Sequence, residues 1–371
     1  MSVEISSTWL EVDLGAIQNN IRQIQSITKR PVMAVVKANG YGHGILAAAQ
    51  AAEQAGARWL AVARIDEALQ LRRAGVVLPL LVMGYCPPER VPEAAAGQVH
   101  LTVYDPDLSK AYAESARASG GRLRVHLKVD TGMGRLGVFP GDAVAMARLL
   151  AGLDSLQVDG IFTHFARADE PTRPETDQQI DRFLSVLDAL EAVGLRPPLV
   201  HAANSAASLY FPRAYFDMVR PGISIYGLQP SPEAPLPEGF RAALSWKARL
   251  ASVKELPPGS GVGYNYRYYT RGTETIGVVP VGYADGLRRK VGVNFALVGG
   301  SRVSVVGGVC MDQCMVRLDE AAPGAYPGDE VVLIGRQGDA AITAEEIGEA
   351  WGTINYEVVC GLSARVPRIY R

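Results

Sequence analysis

The sequence predicts an α/β protein in which an N-terminal (β/α)8 barrel of the TIM type is followed by a mostly β C-terminal domain. Short apolar runs alternate with helical segments from about residue 31 to residue 227. A proline-rich stretch at 229–239 then interrupts this periodicity, and beyond it strands alternate with turns. Eight parallel strands spread over ~200 residues are typical of a (β/α)8 barrel.

Eight apolar runs are predicted to form the barrel strands. In chain order they are PVMAVVKA from Pro31, RWLAVA from Arg58, PLLVMG from Pro79, HLTVY from His100, LRVHLKVD from Leu123, VDGIFTHF from Val158, PLVHAANS from Pro198 and FDMVRPGISIYG from Phe216. Helical segments such as 44–56 and 177–193 separate most of these runs, although the connection between the last two is short.

The change from alternating strands and helices to strands and turns predicts the domain organisation. Residues 13–235 are predicted to form the barrel and residues 236–371 the β-rich C-terminal domain, which contains one helix at TAEEIGEAW from Thr343. Residues 1–12 precede the first barrel strand. Whether the strand-like TWLEVD at 8–13 pairs with the C-terminal sheet stays open at this point.

Composition excludes several classes of protein. With 371 residues, 48% of them hydrophobic and 20% charged, the chain can bury a large core and is not expected to be disordered. The 37 Lys and Arg nearly cancel the 38 Asp and Glu, whereas nucleic-acid binders normally carry a basic excess.

The four cysteines form neither a disulfide framework nor a Cys-x-x-Cys metal pattern. No apolar run approaches the ~18 residues of a membrane span, and the first Lys or Arg is Arg22, so no presequence is indicated. We expect a cytoplasmic protein without a metal, nucleic-acid or membrane partner.

Lys37 is the first candidate for chemistry, because it closes the first barrel run at the face where the active site of such a barrel lies. The three glycines in residues 38–44 let the backbone approach a ligand closely. A lysine buried as a cation is costly, so it tends to lose its proton or to find a partner. A neutral lysine is the nucleophile that a Schiff base with a carbonyl substrate or with pyridoxal phosphate (PLP) requires. The alternative is a lysine that extends to solvent.

Further polar residues follow the other strands of the predicted barrel. They are Lys128, Asp130 and Arg135 near the fifth strand, His164 at the sixth, Asn204 and Ser205 at the seventh, and Arg220 and Gly222 on the eighth. In these barrels the loops after strands seven and eight often bind phosphate. Asn204, Ser205 and the backbone amides of Gly222 and Ile223 therefore suit a cofactor phosphate.

Arg220 is informative because a guanidinium keeps its proton and can only donate hydrogen bonds. Opposite a pyridine nitrogen it would keep that nitrogen unprotonated, whereas a carboxylate would do the reverse. The alternative is a structural ion pair, and His201 on the adjacent strand is a candidate support for Arg220. His100 and His126 lie inside strand patterns and are expected to be structural histidines with satisfied hydrogen bonds.

Several of these residues belong to eight sequence blocks. The blocks are VVKANGYGHG (35–44), KVDTGMGRLG (128–137), THFA (163–166), HAANS (201–205), VRPGI (219–223), GYADG (282–286), CMDQ (310–313) and NYEV (355–358). In their order and spacing they resemble the alanine racemase family of fold-type III PLP enzymes. The resemblance spans nearly the whole chain.

The resemblance implies a role for each matching residue. Lys37 would bind PLP covalently and act as one catalytic base, while Tyr264, from the other subunit of a homodimer, would be the second. Tyr266 lies close to Tyr264 in sequence, and the choice between them rests on the position of Tyr264 in its block. The implied phosphate ligands are Tyr41, Ser205, Gly222, Ile223 and Tyr356.

The remaining implied roles concern the cofactor ring and the substrate. Arg220 would face the pyridine nitrogen and His164 would lie beside the ring. Arg135 and the backbone amide of Met311, the latter again from the partner subunit, would hold the substrate carboxylate. Lys128 matches a lysine that is often carbamylated in the family.

The implied function is a two-base interconversion of L-alanine and D-alanine that supplies D-alanine for peptidoglycan. A serine or broad-specificity racemase of the same fold is an alternative, because size alone discriminates alanine from serine by only ~1–3 kcal/mol. A fold-type III amino-acid decarboxylase is a further alternative, but an acidic residue would be expected at the place of Arg220. A non-catalytic PLP-carrier protein would resemble the barrel alone.

Overall fold

The computed structural model describes residues 6–319 and 321–371. The chain divides into two compact units, one formed by Gly15–Arg241 and the other by Ala242–Arg371 together with the described part of the segment before Gly15. The predicted domain boundaries at 12/13 and 235/236 stay predictions, and residues 1–5 of the predicted N-terminal segment lie outside the described residues. Strands and α-helices are numbered along the chain, so that β1 is Thr8–Val12.

Seven parallel strands of the first unit pair in sequence order. They are β2 (Met33–Val35), β3 (Trp59–Val62), β4 (Leu80–Val82), β5 (Val99–Val103), β6 (Leu123–Lys128), β7 (Leu156–Phe162) and β8 (Leu199–His201). The eighth predicted run supplies single bridges, in which Met218 pairs with His201 and Val219 pairs with Val32. Because these bridges join the two edges of the sheet, the barrel closes, and the predicted (β/α)8 barrel is confirmed.

Helices alternate with these strands. They are α1 (Leu14–Thr28), α2 (Lys37–Tyr41), α3 (Ile45–Gln54), α4 (Ile65–Arg73), α5 (Val91–Ala96), α6 (Pro106–Ala118), α7 (Ala143–Ala151), α8 (Glu175–Ala192) and α9 (Ser205–Tyr210). Helix α6 shows the local reason, because the Asp105 carboxylate accepts hydrogen bonds from the amides of Asp107 and Leu108 and Pro106 occupies the first helical position. Every residue of β4 and β5 is buried, as expected for parallel strands covered on both faces.

The second unit is mostly β, as predicted. Its further strands are β9 (Leu244–Arg249), β10 (Ser252–Leu256), β11 (Gly261–Val262), β12 (Tyr268–Tyr269), β13 (Glu274–Val279), β14 (Phe295–Val298), β15 (Ser301–Val306), β16 (Cys314–Arg317), β17 (Glu330–Gln337), β18 (Ala340–Ile342) and β19 (Arg368–Tyr370). The main sheet runs in the order β10-β13-β16-β15-β14-β17-β9-β1-β19, with β18 paired to β17. The N-terminal strand β1 lies antiparallel to β9 and parallel to β19, which answers the question that the sequence left open for TWLEVD.

Two helices belong to this unit, α10 (Ala344–Trp351) and α11 (Asn355–Cys360). The prediction of a single helix was wrong, because the short α11 contains adjacent β-branched Val358 and Val359 that favour a strand in isolation. Helix α10 matches the prediction, with the Thr343 hydroxyl accepting a hydrogen bond from the amide of Glu346 at its start. Within the described residues, none of the helices combines the length and the apolar character that a membrane span requires.

Candidate active site

Lys37 lies two residues after the end of β2 and begins an unusual turn. The φ angles of Ala38, Asn39, Gly40, Tyr41 and Gly42 are 53°, 55°, 62°, 50° and 85°, so five consecutive residues have positive φ and α2 is a left-handed turn rather than a regular right-handed helix. This conformation costs about 1–2 kcal/mol for each residue that carries a Cβ, although asparagine tolerates it better than most. The turn therefore needs stabilising contacts from its surroundings.

Several hydrogen bonds hold the turn. The amide of Gly42 donates to the carbonyl of Ala38 at 3.0 Å, and Nδ1 of His43 lies 3.1 Å from the Gly40 carbonyl and 2.9 Å from the Tyr41 carbonyl. Oε1 of Glu67 accepts from the amide of Ala38 at 2.6 Å, Oδ1 of Asn39 accepts from the amide of Ile45 at 3.0 Å, and the Asn39 carbonyl accepts from the amide of Gly44 at 2.8 Å. Nζ of Lys37 lies 6.0 Å from the centroid of the Tyr41 ring. The turn thus brings the amine and the phenol, two predicted site residues, to the same region.

Tyr41 meets the residues predicted to bind phosphate. A Cβ at Gly222 would overlap the Tyr41 hydroxyl, so only glycine allows this approach. Oγ of Ser205 accepts from the amides of Gly222 at 2.9 Å and Ser224 at 3.3 Å. Hydroxyl groups and backbone amides thus converge beside Ile223, and such a group of donors suits a phosphate.

Asn204 uses its side chain locally. Its Oδ1 accepts from the amide of Ala207 at 2.9 Å and caps helix α9. The cap fixes the start of the helix that carries Ser205. A direct contact of Asn204 with a cofactor stays a prediction.

Arg220 is buried, with 3% of its surface exposed. Its Nη2 donates to the carbonyls of Thr163 at 2.6 Å and Ala202 at 2.8 Å, while its Nε has no hydrogen-bond partner among the described residues. Burial lowers the pKa of Arg220 to about 9, followed by the charge of Arg135, so the guanidinium remains protonated at neutral pH. An unpartnered buried donor is expected to meet a ligand acceptor such as a ring nitrogen. The alternative of a structural ion pair is wrong within the described residues, where no carboxylate pairs with Arg220.

His201 does not hydrogen-bond to Arg220, and its role as a support for Arg220 stays a prediction. Its Nε2 lies 2.9 Å from Nδ1 of His126, and its ring stacks on Phe162 at a centroid distance of 4.9 Å. The Arg220 guanidinium carbon lies 5.2 Å from the centroid of that same Phe162 ring. Phe162 thus lies in contact with both His201 and Arg220, and any support of Arg220 by His201 would act through this ring. Nη2 of Arg220 already donates to two backbone carbonyls.

Lys128 also contacts Phe162. Its Nζ lies 4.6 Å from the ring centroid, and the residue is 3% exposed. Burial, followed by the charges of Arg220 and Arg135, lowers the pKa of Lys128 to about 7. The Lys128 amine thus loses its proton more readily than an exposed lysine, and carbamylation requires the neutral form. The carbamylation itself stays a prediction.

Arg135 is presented by a loop that Asp130 organises. Oδ1 of Asp130 accepts from the amides of Gly132, Met133 and Gly134 at 2.9, 2.7 and 3.2 Å, and Oδ2 accepts from the amide of Arg135 at 3.1 Å. Burial acts to raise the pKa of Asp130, but these four hydrogen bonds together hold it below its usual range. The aspartate before Gly-x-Gly is a recognisable turn signal, although the sequence indicated no role for it.

His164 is half-buried at the end of β7. Burial lowers its pKa well below the usual range, and the positive charges of Arg220, Lys128, Arg135 and Lys37 act in the same direction. The imidazole is therefore neutral. Such a concentration of cations around a neutral ring favours an anionic ligand.

The other predicted site residues lie in the second unit. Tyr264 and Met311 line a surface cleft of about 540 Å³. Tyr264 is 67% exposed and follows Gly263, whose φ is 70°. Tyr266 is also exposed, and its ring lies so close to Gly261 that a Cβ there would overlap it. Tyr356 lies on α11 and is half-buried.

Two further residues contact the site but were not predicted from the sequence. Glu67 lies in the first turn of α4 and reaches the backbone beside Lys37, while Phe162 contacts both Lys128 and Arg220. An acidic residue in a first helical turn usually indicates only a helix cap, and a phenylalanine in a strand usually indicates only core. No local signal distinguished these two residues.

Family models match almost the whole chain. The model described as "Alanine racemase, N-terminal domain" matches residues 12–230, and the one described as "Alanine racemase, C-terminal domain" matches residues 243–370. An alanine racemase of Symbiobacterium thermophilum is 47% identical over 365 residues, which cover 98% of this chain and 97% of the relative. An alanine racemase of Geobacillus stearothermophilus is 46% identical over 373 residues, covering 98% and 93%.

Solved structures agree with these matches. The alanine racemase of Bacillus anthracis with bound L-Ala-P superposes with a TM-score of 0.93 at 42% identity, covering 98% of this chain and 95% of that one. A histidine racemase of Leuconostoc mesenteroides superposes with a TM-score of 0.91 at 31% identity, covering 99% and 98%. The predicted fold and resemblance are confirmed, and the chain belongs to the alanine racemase family.

Proposed function

We propose that this protein is a PLP-dependent alanine racemase that interconverts L-alanine and D-alanine and supplies D-alanine for peptidoglycan. The observation that carries the proposal is the unpartnered, buried Nε of Arg220 at the same barrel mouth as Lys37 and the donors around Gly222. A phosphate suits the donors of Tyr41, Ser205, Gly222 and Ile223, and a pyridine nitrogen suits Arg220. The residues present therefore fit PLP.

When bound, PLP withdraws electrons from an attached amino acid and so acidifies its Cα–H bond. In the proposed mechanism, Nζ of Lys37 exchanges a proton with Cα on one face of the substrate, and Oη of Tyr264 exchanges one on the other. Arg135 and the amide of Met311 hold the substrate carboxylate. Arg220 would donate a hydrogen bond to the ring nitrogen and so keep that nitrogen unprotonated, and neutral His164 would lie beside the ring. Tyr356 completes the proposed phosphate ligands.

We also propose a homodimer in which Tyr264 and Met311 of one subunit serve the site of the other. The support is that Tyr264 is mostly exposed on its own chain although it is the predicted base. A base that must act in a water-excluded site is expected to be covered when the assembly is complete. For the location we propose the cytoplasm, which is supported by four free cysteines.

Alanine is the proposed substrate because relatives named alanine racemase are 42–47% identical to this chain. The fold alone does not select it, since a histidine racemase has the same fold. The experiment must therefore also test serine and other amino acids as substrates.

The test measures incorporation of solvent deuterium at Cα with a panel of L- and D-amino acids. Exchange with inversion, fastest for alanine, is expected. Borohydride treatment of the holoenzyme should attach the cofactor to Lys37 in a peptide map. Tyr264→Phe should abolish inversion, whereas the matched control Tyr266→Phe should retain it. Release of carbon dioxide would favour a decarboxylase, and exchange without inversion would contradict the two-base mechanism.

A further inference from the structure

We propose that Glu67 is a positioning residue that holds the left-handed turn after Lys37 and thereby directs the lysine side chain. The inference rests on the proposed function only in that Lys37 is taken as the residue that binds the cofactor. Glu67 lies on α4, which follows the second barrel strand, whereas Lys37 follows the first.

The two oxygens of the Glu67 carboxylate serve two different loops. Oε1 accepts from the amide of Ala38 at 2.6 Å, and Oε2 accepts from the amides of Ala63 at 2.9 Å and Arg64 at 3.1 Å. The peptide group that contains the Ala38 amide begins at the carbonyl carbon of Lys37. A contact at this peptide therefore constrains the backbone from which the Lys37 side chain departs.

The Ala38 amide is where such a contact has most effect. Ala38 is the first of the five left-handed residues, and its Cβ makes that conformation unfavourable. A short hydrogen bond to an ionised oxygen is stronger than one to a neutral acceptor. The carboxylate can thus stabilise a conformation that the residue itself disfavours.

Capping of α4 explains only one of the three hydrogen bonds that Glu67 accepts. The bond from the Arg64 amide to Oε2 is the capping interaction expected of a glutamate at this position. It leaves the bond from Ala38 to Oε1 unexplained, because Ala38 lies outside α4. The test must therefore distinguish the loss of the helix cap at Arg64 from the loss of the hydrogen bond to the Ala38 amide.

Three variants make this separation. Glu67→Gln is isosteric, but it has one acceptor oxygen and a donor nitrogen, so it cannot accept from both loops. Ala38→Gly removes the Cβ that makes the left-handed turn costly, and the double variant combines both changes. The matched control is Asp66→Asn, because Asp66 lies in the same helical turn but is 71% exposed and pairs with Arg90 at 3.0 Å.

The readouts on the holoenzyme are amide hydrogen exchange of a peptide spanning residues 37–44, the rate at which borohydride fixes PLP to Lys37, and the kcat and KM for alanine. Glu67→Gln should speed exchange of this peptide and slow fixation. It should lower kcat by up to about 100-fold, the effect of a misplaced reacting group, with a smaller change in KM. The double variant should regain about tenfold of the lost kcat, since glycine needs less support in this turn. Asp66→Asn should match the wild type in all readouts.

Rescue by Ala38→Gly is the decisive result, because glycine at 38 cannot restore a helix cap. A double variant no better than Glu67→Gln, or fixation unchanged in Glu67→Gln, would overturn the inference. If Glu67→Gln fails to fold, the wild-type protein still decides, since rapid exchange of the 37–44 peptide would show that the turn is not held. If the wild type fails to racemise alanine but fixation still responds to Glu67, the proposed function fails and the inference stands.

Discussion

The rings of His100 and His126 meet edge-on inside the barrel, with centroids 5.3 Å apart and planes at 83°. Both are buried, and Nδ1 of His100 and Nε2 of His126 have no hydrogen-bond partner among the described residues. The expectation that these histidines are fully satisfied was therefore wrong for these two nitrogens. Nδ1 of His100 lies 3.7 Å from Oδ2 of Asp159, too far for a hydrogen bond, whereas Nδ1 of His126 lies 2.9 Å from Nε2 of His201. Burial lowers the pKa of His100 to about 4 and that of His126 well below its usual range.

We expect stability to fall as the pH is lowered below the histidine reference value of 6.5. The unfolded chain binds protons on these histidines and the folded protein does not, so the stabilisation is present above that value and is lost on acidification. Each such histidine adds a slope of about 1.4 kcal/mol per pH unit to the free energy of unfolding. For His100 the slope extends down to about pH 4. The free energy of unfolding, measured by urea denaturation across this range, should depend less steeply on pH in His100→Leu than in the wild type, by about 1.4 kcal/mol per pH unit. At pH 7–8 the two proteins should show the same pH dependence.

Gly222→Ala should weaken cofactor binding. The new Cβ would overlap the Tyr41 hydroxyl and displace it from the donors around Ser205. Overpacking typically costs about 1–3 kcal/mol, which corresponds to a loss of about 5- to 150-fold in PLP affinity, measured by titration of the apoenzyme. Gly141→Ala is the control, because no atom lies within 4 Å of its added Cβ. Equal PLP affinity in the two variants would refute the proposed phosphate site.

Arg220→Gln should destabilise the barrel as well as the site. The carbonyls of Thr163 and Ala202 would lose a charged donor in a buried place. We expect a loss of about 2–4 kcal/mol in the free energy of unfolding, measured by urea denaturation. Arg196→Gln provides the comparison, because Arg196 is exposed and pairs with Glu191 at 3.4 Å, and its loss should cost less than about 1 kcal/mol.

Asp130→Asn should act on substrate binding. An asparagine keeps one acceptor oxygen, so the loop that presents Arg135 loses part of its four-amide cap. If Arg135 holds the substrate carboxylate, we expect KM for alanine to rise about tenfold while kcat changes less, since one charged hydrogen bond contributes about 1.5–3 kcal/mol. Asp142→Asn removes a nearby exposed carboxylate and should leave KM unchanged. A fall in kcat alone would contradict the role assigned to the loop.

The strand order of the barrel and the polar residues at its mouth were predictable, because hydrophobic periodicity and position at a strand end are local properties. The short α11 was not, since its valines favour the wrong element, and the eighth strand was predicted as longer than the bridges that close the barrel. The roles of Asp130 and Glu67 were also missed. Aspartate and glutamate are common in turns and at helix starts. Only their hydrogen bonds to the amides of Arg135 and Ala38 connect Asp130 and Glu67 to the site.

The sequence by itself determined the fold class, the family and the residue types available for the chemistry, because these depend on patterns read along neighbouring positions. Only the tertiary structure decided which groups meet. Ala38 and Glu67 are 29 positions apart, and His126 and His201 are 75 apart. Contacts at such separations depend on how the strands align when the barrel closes, and burial then changes the pKa values of the groups enclosed, so neither follows from local pattern.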